Sequence, residues 1–160
     1  HVGAELFRTQ AEVQVELVHY RGGGPAVAAL VAGEAQFGAP TMASSLGQVR
    51  GGGLRALAVL GANRSPTLPD VPSAPEAGMP RLINEEFFPV LVPAATPAPV
   101  VASLSAAFQT AVRQSASRLT ETAGVTPRPG YETAAQIMGL VRENVDYMTG
   151  VLRAAGVQPE

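Results

Sequence analysis

The chain has 160 residues, 46% of them hydrophobic and 15% charged. That composition supports the packed core of one ordinary domain or two small ones, and lies far from disorder. A net charge of −2 argues against nucleic acid or an anionic membrane surface as a partner, no apolar run reaches the about 18–20 residues that cross a bilayer, and the lack of cysteine excludes disulfides and thiolate chemistry.

The chain opens at His1 without an initiating methionine, on "HVGAELFRTQ", which reads as the middle of a helix. The expectation is therefore a fragment of a longer protein. Residues 13–18, "VQVELV", alternate and are rich in β-branched residues, so they read as a strand. Three glycines follow, and "PAVAALVA" (25–32) reads as a helix that starts on proline and that Gly33 can close. Residues 35–39 form a short strand of small residues, 41–49 a helix ended by Gly51, Gly52 and Gly53, and "LRALAVL" (54–60) a buried strand. The order strand–helix–strand–helix–strand predicts an α/β fold with a parallel or mixed sheet.

The five prolines within residues 61–80 mark an irregular surface excursion. "EFFPVLVP" (86–93) is extended, and Pro89 within it argues for a bulge, a crossover or an edge. Thr96 reads as the N-cap of the next helix, before Pro97. Leu104, Ala107, Phe108, Ala111 and Val112 line one face of that helix. A second helix carries Ile137, Leu140, Val141, Val145, Met148 and Leu152, and residues 124–130 between the two can supply a short strand. No repeat of solenoid period is present.

Two loops could hold a ligand. Gly22, Gly23 and Gly24 with Pro25 follow a strand and open a helix, where unpaired N–H groups and the positive end of the helix dipole meet. Without Cβ atoms in the way, a carboxylate or phosphate can reach those donors. The competing reading is a tight turn that needs positive φ. "GAPTMASS" (38–45) is the second loop: Thr41 can donate to a ligand oxygen or can simply cap the helix. The pattern is neither a P-loop nor GxGxxG.

Nothing in the sequence suggests catalysis. His1 and His19 are the only histidines and form no triad or zinc pattern with the carboxylates. Glu85 and Glu86 are adjacent and point to opposite faces of a strand, so they are not a paired-carboxylate device. Phe87 and Phe88 alternate in the same way, one toward the core and one toward a cleft. No metal and no cofactor is expected.

The segments "HVGAELF", "VELVHYRGGGPAVAALVAGEAQF", "GGGLRALAVLGANRSPTLPDVPSAPEAGMP", "FFPVLVPAATPAPVVASL" and "AAGVQPE" resemble the tripartite tricarboxylate transporter receptors, solute-binding proteins of the TctC or Bug type. The resemblance runs over nearly the whole chain and implies a periplasmic-binding-protein-like lobe, three layers around a mixed sheet, plus a C-terminal helical segment of the partner lobe. The implied boundaries are 1–87 for the second, ligand-binding lobe, 88–97 for the hinge and 98–160 for the incomplete part of the first lobe. It also implies that Tyr20, Arg21, Gly22, Gly23, Gly24 and Pro25, with Ala39, Pro40 and Thr41, face a small organic acid, and that Phe88 lines the hinge or cleft wall. Family members often carry a hydroxyl residue at the position of Gly23, an acid near Pro40 and an aspartate at Gln36. These departures thin the polar contacts and shift the expectation toward a less polar or aromatic acid.

The resulting expectation is a periplasmic, non-catalytic receptor that delivers an organic anion to membrane permease subunits by hinge closure. The alternative is the ligand-sensing effector domain of a transcriptional regulator. A signal peptide upstream favours the first and a helix-turn-helix the second. Apolar helix faces that lack a sheet predict that the isolated chain dimerises or swaps its C-terminal helices.

Overall fold

A computed structural model describes residues 2–156. Five helices follow in chain order: α1 (Val2–Gln10), α2 (Gly23–Ala32), α3 (Met42–Arg50), α4 (Ala98–Ala123) and α5 (Ala134–Ala154). All five were expected near these positions, and the local chemistry of their ends explains why. Gly33 closes α2 in the left-handed region (φ 75), its N–H reaching the carbonyls of Ala29 and Leu30. Thr133 and Gln136 form a reciprocal capping box at the start of α5.

Two ends depart from expectation. Helix α2 begins at Gly23 rather than Pro25, so two glycines belong to its first turn. Pro97, not Thr96, precedes α4, and no side chain caps it. Thr96 instead donates its N–H to the Pro93 carbonyl at 2.9 Å in a turn. Pro99 in the first turn of α4 has no N–H to satisfy, so a cap gains less there than usual.

The expected mixed sheet is not seen. Among the described residues, segments 13–18, 35–39, 54–60, 86–93 and 124–130 form no ladder, and the one bridge is parallel, between Val59 and Ser73. It carries a Val59 N–H to Pro72 carbonyl bond of 2.8 Å, and Asn84 donates to the Leu60 carbonyl at 2.8 Å. Alternating β-branched residues favour an extended backbone, but a ladder also needs a partner about 4.8 Å away in register. Local sequence supplies only the first condition.

The core gathers where the excursion folds back. Leu6 of α1, Ala74 and Leu82 are buried together, with Phe7, Leu60, Met79, Ile83 and Val151 packed around them. Glu76 holds the proline-rich stretch in place: it accepts from the Ser73 N–H at 2.8 Å and from Arg64 Nε at 2.9 Å, while Arg64 Nη1 donates to the Pro69 carbonyl at 2.9 Å. Helix α5 lies on α1, α2 on α3 and α3 on α4. Tyr147 of α5 donates to the Ile83 carbonyl at 2.9 Å, and Thr67 to the Thr120 carbonyl of α4 at 3.1 Å. Both C-terminal helices are thus tied to the first ninety residues. The face of α4 carrying Leu104, Phe108 and Val112 remains exposed.

Candidate functional site

The two glycine- and hydroxyl-bearing loops, some twenty residues apart in sequence, meet in space. A Cβ at Gly23 would lie 2.6 Å from Ser44 Oγ, 2.7 Å from Ser44 Cβ and 3.9 Å from Thr41 Oγ1. The first turns of α2 and α3 therefore press together, and Gly23 is required by that approach. Gly22 precedes α2 at φ 102, a conformation suited to glycine alone. The competing tight-turn reading thus holds at Gly22, while Gly24 has open space around it.

Not every amide of the stretch is available. The Gly22 N–H donates to the Tyr20 carbonyl at 2.9 Å. Pro25 has no N–H. Gly23 and Gly24, at the first two positions of α2, keep donors that have no acceptor within the helix. Tyr20 is half-buried, and Arg21 is exposed beside it.

Thr41 caps α3 as well as bordering the site. Its Oγ1 accepts from the Ser44 N–H at 3.3 Å and donates to Ser44 Oγ at 3.1 Å, and Ser44 Oγ donates to the Thr41 carbonyl at 2.9 Å. Both hydroxyl protons are spent within this pair, so the capping reading of Thr41 is the one observed. Ala39 is drawn in from another side: a Cβ on Gly3 of α1 would lie 3.4 Å from Ala39 Cβ and 3.3 Å from Asn84 Nδ2. Pro40 is half-buried between them. Phe7 and Phe37 meet edge to face at 5.4 Å and tie α1 to the strand-like approach to this loop.

Ser44 and Gly3 were not singled out from sequence. Ser44 was visible only as one of several hydroxyls, and its partner at residue 23 is a glycine, which leaves no signal. Phe88 is 63% exposed, whereas Phe87 lines a cavity beside α5. Partial desolvation raises the Glu86 carboxyl above its usual range. Among the described residues no group of three or more His, Cys, Asp or Glu is placed to hold a metal. No helix among them is long and apolar enough to cross a membrane. A helix start with unpaired main-chain donors is suited to holding an anion.

Comparison with known proteins places the chain in a family. The model for the "Tripartite tricarboxylate transporter family receptor" matches residues 1–157. The protein BugT of Bordetella pertussis is 30% identical over 158 residues, covering 99% of this chain and 48% of BugT. This chain thus spans about half the length of that relative. Among solved structures, MatC from Rhodopseudomonas palustris with bound malate is 30% identical with a TM-score of 0.81, covering 94% of this chain and 52% of that one. Rpa4515 of R. palustris with adipate is 27% identical with a TM-score of 0.91, covering 100% of this chain and 53% of that one. The architecture is that of a periplasmic binding protein, and the chain belongs to the tripartite tricarboxylate transporter receptor family.

Proposed function

We propose that the chain is the solute-gripping part of a periplasmic receptor for a small organic carboxylate, which binds without chemistry and passes its ligand to the permease subunits of a tripartite transporter. The observation that carries the reading is the meeting of the α2 and α3 starts at Gly23 and Ser44, beside the Gly23 and Gly24 amides that have no acceptor within α2. A helix start contributes about 0.3–1 kcal/mol to anion binding, up to roughly 2 when partly buried, so this site orients a carboxylate and needs a facing surface for tight capture. Support comes also from the malate and adipate in the two solved relatives. In this reading residues 1–87 form the ligand-binding lobe, 88–97 the hinge and 98–160 a contribution to the facing lobe. Tyr20, Arg21, Ala39, Pro40 and Thr41 border the ligand, and Phe88 belongs to the hinge wall.

The test is a pair of substitutions at Gly24, where an added Cβ meets nothing within 4 Å. Gly24→Pro removes one donor while suiting the first helical turn. Gly24→Ala keeps it. With malate and adipate as probes, calorimetry on the chain alone should give a weak Kd, on the order of millimolar, corresponding to about −4 kcal/mol. Binding should survive in Gly24→Ala and vanish in Gly24→Pro, with circular dichroism confirming that both variants keep their helices. Equal binding by both variants overturns the reading.

A further inference from the structure

A second place in the molecule has the chemistry of an anion site and lies apart from the α2 and α3 starts. A cavity of about 350 Å³ opens between the segment 81–87 and α5, and Arg128 from the 124–130 segment closes one side. Its volume falls at the lower end of the range of ligand sites, roughly 300–1,000 Å³, which fits a small molecule.

Part of the lining is polar. Arg81, Asn84, Arg128 and Asn144 face it together with Tyr147. Among the described residues, the Arg81 guanidinium and the Asn84 and Asn144 carboxamides have no hydrogen-bond or ionic partner. The two carboxamides are half-buried, so they have lost part of their water without gaining a protein partner. Arg128 is held loosely: Glu85 lies 4.0 Å away, and the guanidinium stacks on the Tyr131 ring at 5.1 Å from its centroid. Stacking fixes the plane of the guanidinium and leaves its N–H edge free to accept a planar oxyanion. With two cations against the single carboxylate of Glu85, the lining is one charge short of neutral.

The remaining wall is apolar, from Ile83, Phe87 and Leu140. Guanidinium forks opposite an aromatic and aliphatic wall suit a carboxylate with an apolar body, and inorganic phosphate cannot use that wall. We infer that this cavity is a second ligand site, for a small aryl or short-chain alkyl monocarboxylate. It goes beyond the solute site proposed above and uses none of the same residues. Since it joins the 81–87 segment to α5 and Arg128, an occupant would pin the approach to residues 88–97 against the C-terminal helix.

Benzoate is the probe, added to the 160-residue chain at constant ionic strength and followed by thermal shift and calorimetry, with inorganic phosphate as the control. The expected result is saturable stabilisation by benzoate but not by phosphate, retained in Gly24→Pro. Arg81→Gln and Asn144→Ala should each weaken benzoate binding, Arg81→Gln at least about tenfold, since a charge-assisted contact is lost. Both positions face the cavity, so unliganded melting should change little. Three results overturn the site: no benzoate binding, equal stabilisation by phosphate, or loss of benzoate binding in Gly24→Pro with retention in Arg81→Gln. The last would assign benzoate to the first site. Failure of malate and adipate to bind at Gly23 and Gly24 leaves this experiment intact, since it reads a different probe on different residues.

Discussion

Residue 23 and residue 44 share one volume. Ser44 fills the space that any side chain at 23 would need, and it is held there by two bonds to Thr41. Gly23→Ala should therefore cost about 1–3 kcal/mol, the usual range for overpacking. In the double variant Gly23→Ala with Ser44→Gly most of that loss should return, beyond the sum of the two single effects, in urea unfolding. Additive losses would show that the two helix starts are not in contact. Glu76 makes a different point at this scale. The Ser73 N–H and then the Arg64 guanidinium hold its carboxyl below the ordinary value of 4.5. A depressed folded pKa contributes stability above the unfolded pKa, and that stability is lost as pH falls through the folded value. Glu76→Gln should lower the urea midpoint at pH 7, and the gap from the parent should close in acid well below pH 4.5. A gap that persists unchanged in acid would mean that Glu76 acts through shape rather than charge.

Among the elements, the helices were legible in the sequence, and the sheet read from it is not seen among the described residues. Apolar spacing and Gly33 are local signals, and both are present in the structure as read, whereas the Thr133 and Gln136 capping box is a local signal that the sequence reading did not use. Segments 13–18 and 54–60 carry strand-like residues, but pairing depends on a partner that no local window contains. The two loops that meet at Gly23 and Ser44 were legible because their glycines and hydroxyls cluster in sequence. The second cavity was not, because Arg81, Arg128 and Asn144 are separated by 47 and 16 residues along the chain. Helix α1 ends without the usual glycine. Glu12 sits at φ 54, in the left-handed region, while Ala11 donates to the Phe7 carbonyl at 2.9 Å and Val13 to the Arg8 carbonyl at 3.3 Å. That conformation costs a non-glycine residue about 1–2 kcal/mol. Glycine removes the cost and gives part of it back as unfolded-state entropy. Glu12→Gly should stabilise the chain by about 0.5–1 kcal/mol in urea unfolding. A loss of stability would mean that the Glu12 side chain makes a contact worth more than the strain.

For the whole molecule, the surface is too large for the mass. The chain exposes 10852 Å². A compact monomer of its 16.4 kDa exposes only about 7,500 Å². The excess far exceeds the roughly 800 Å² that one partner contributes to a standard interface. Much of it is apolar and lies on neighbouring elements: Phe88, Val90 and Leu91 are 63%, 54% and 68% exposed, and Leu104 and Phe108 of α4 join them. The 86–93 segment also has backbone groups outside any ladder, which favours pairing with another strand. In a solution of this chain alone, the available occupant is a second copy. Pairing through α4 and 86–93 would bury both kinds of surface at once, and exchange of α4 and α5 between copies would achieve the same. Multi-angle light scattering at tens of micromolar should give twice the monomer mass. Phe88→Asp with Phe108→Asp should shift the equilibrium toward monomer and lower the melting temperature, because stability is then coupled to protomer concentration. A monomer whose melting temperature does not depend on concentration would show that the apolar faces are tolerated by water, and would remove the reason for expecting any partner at them.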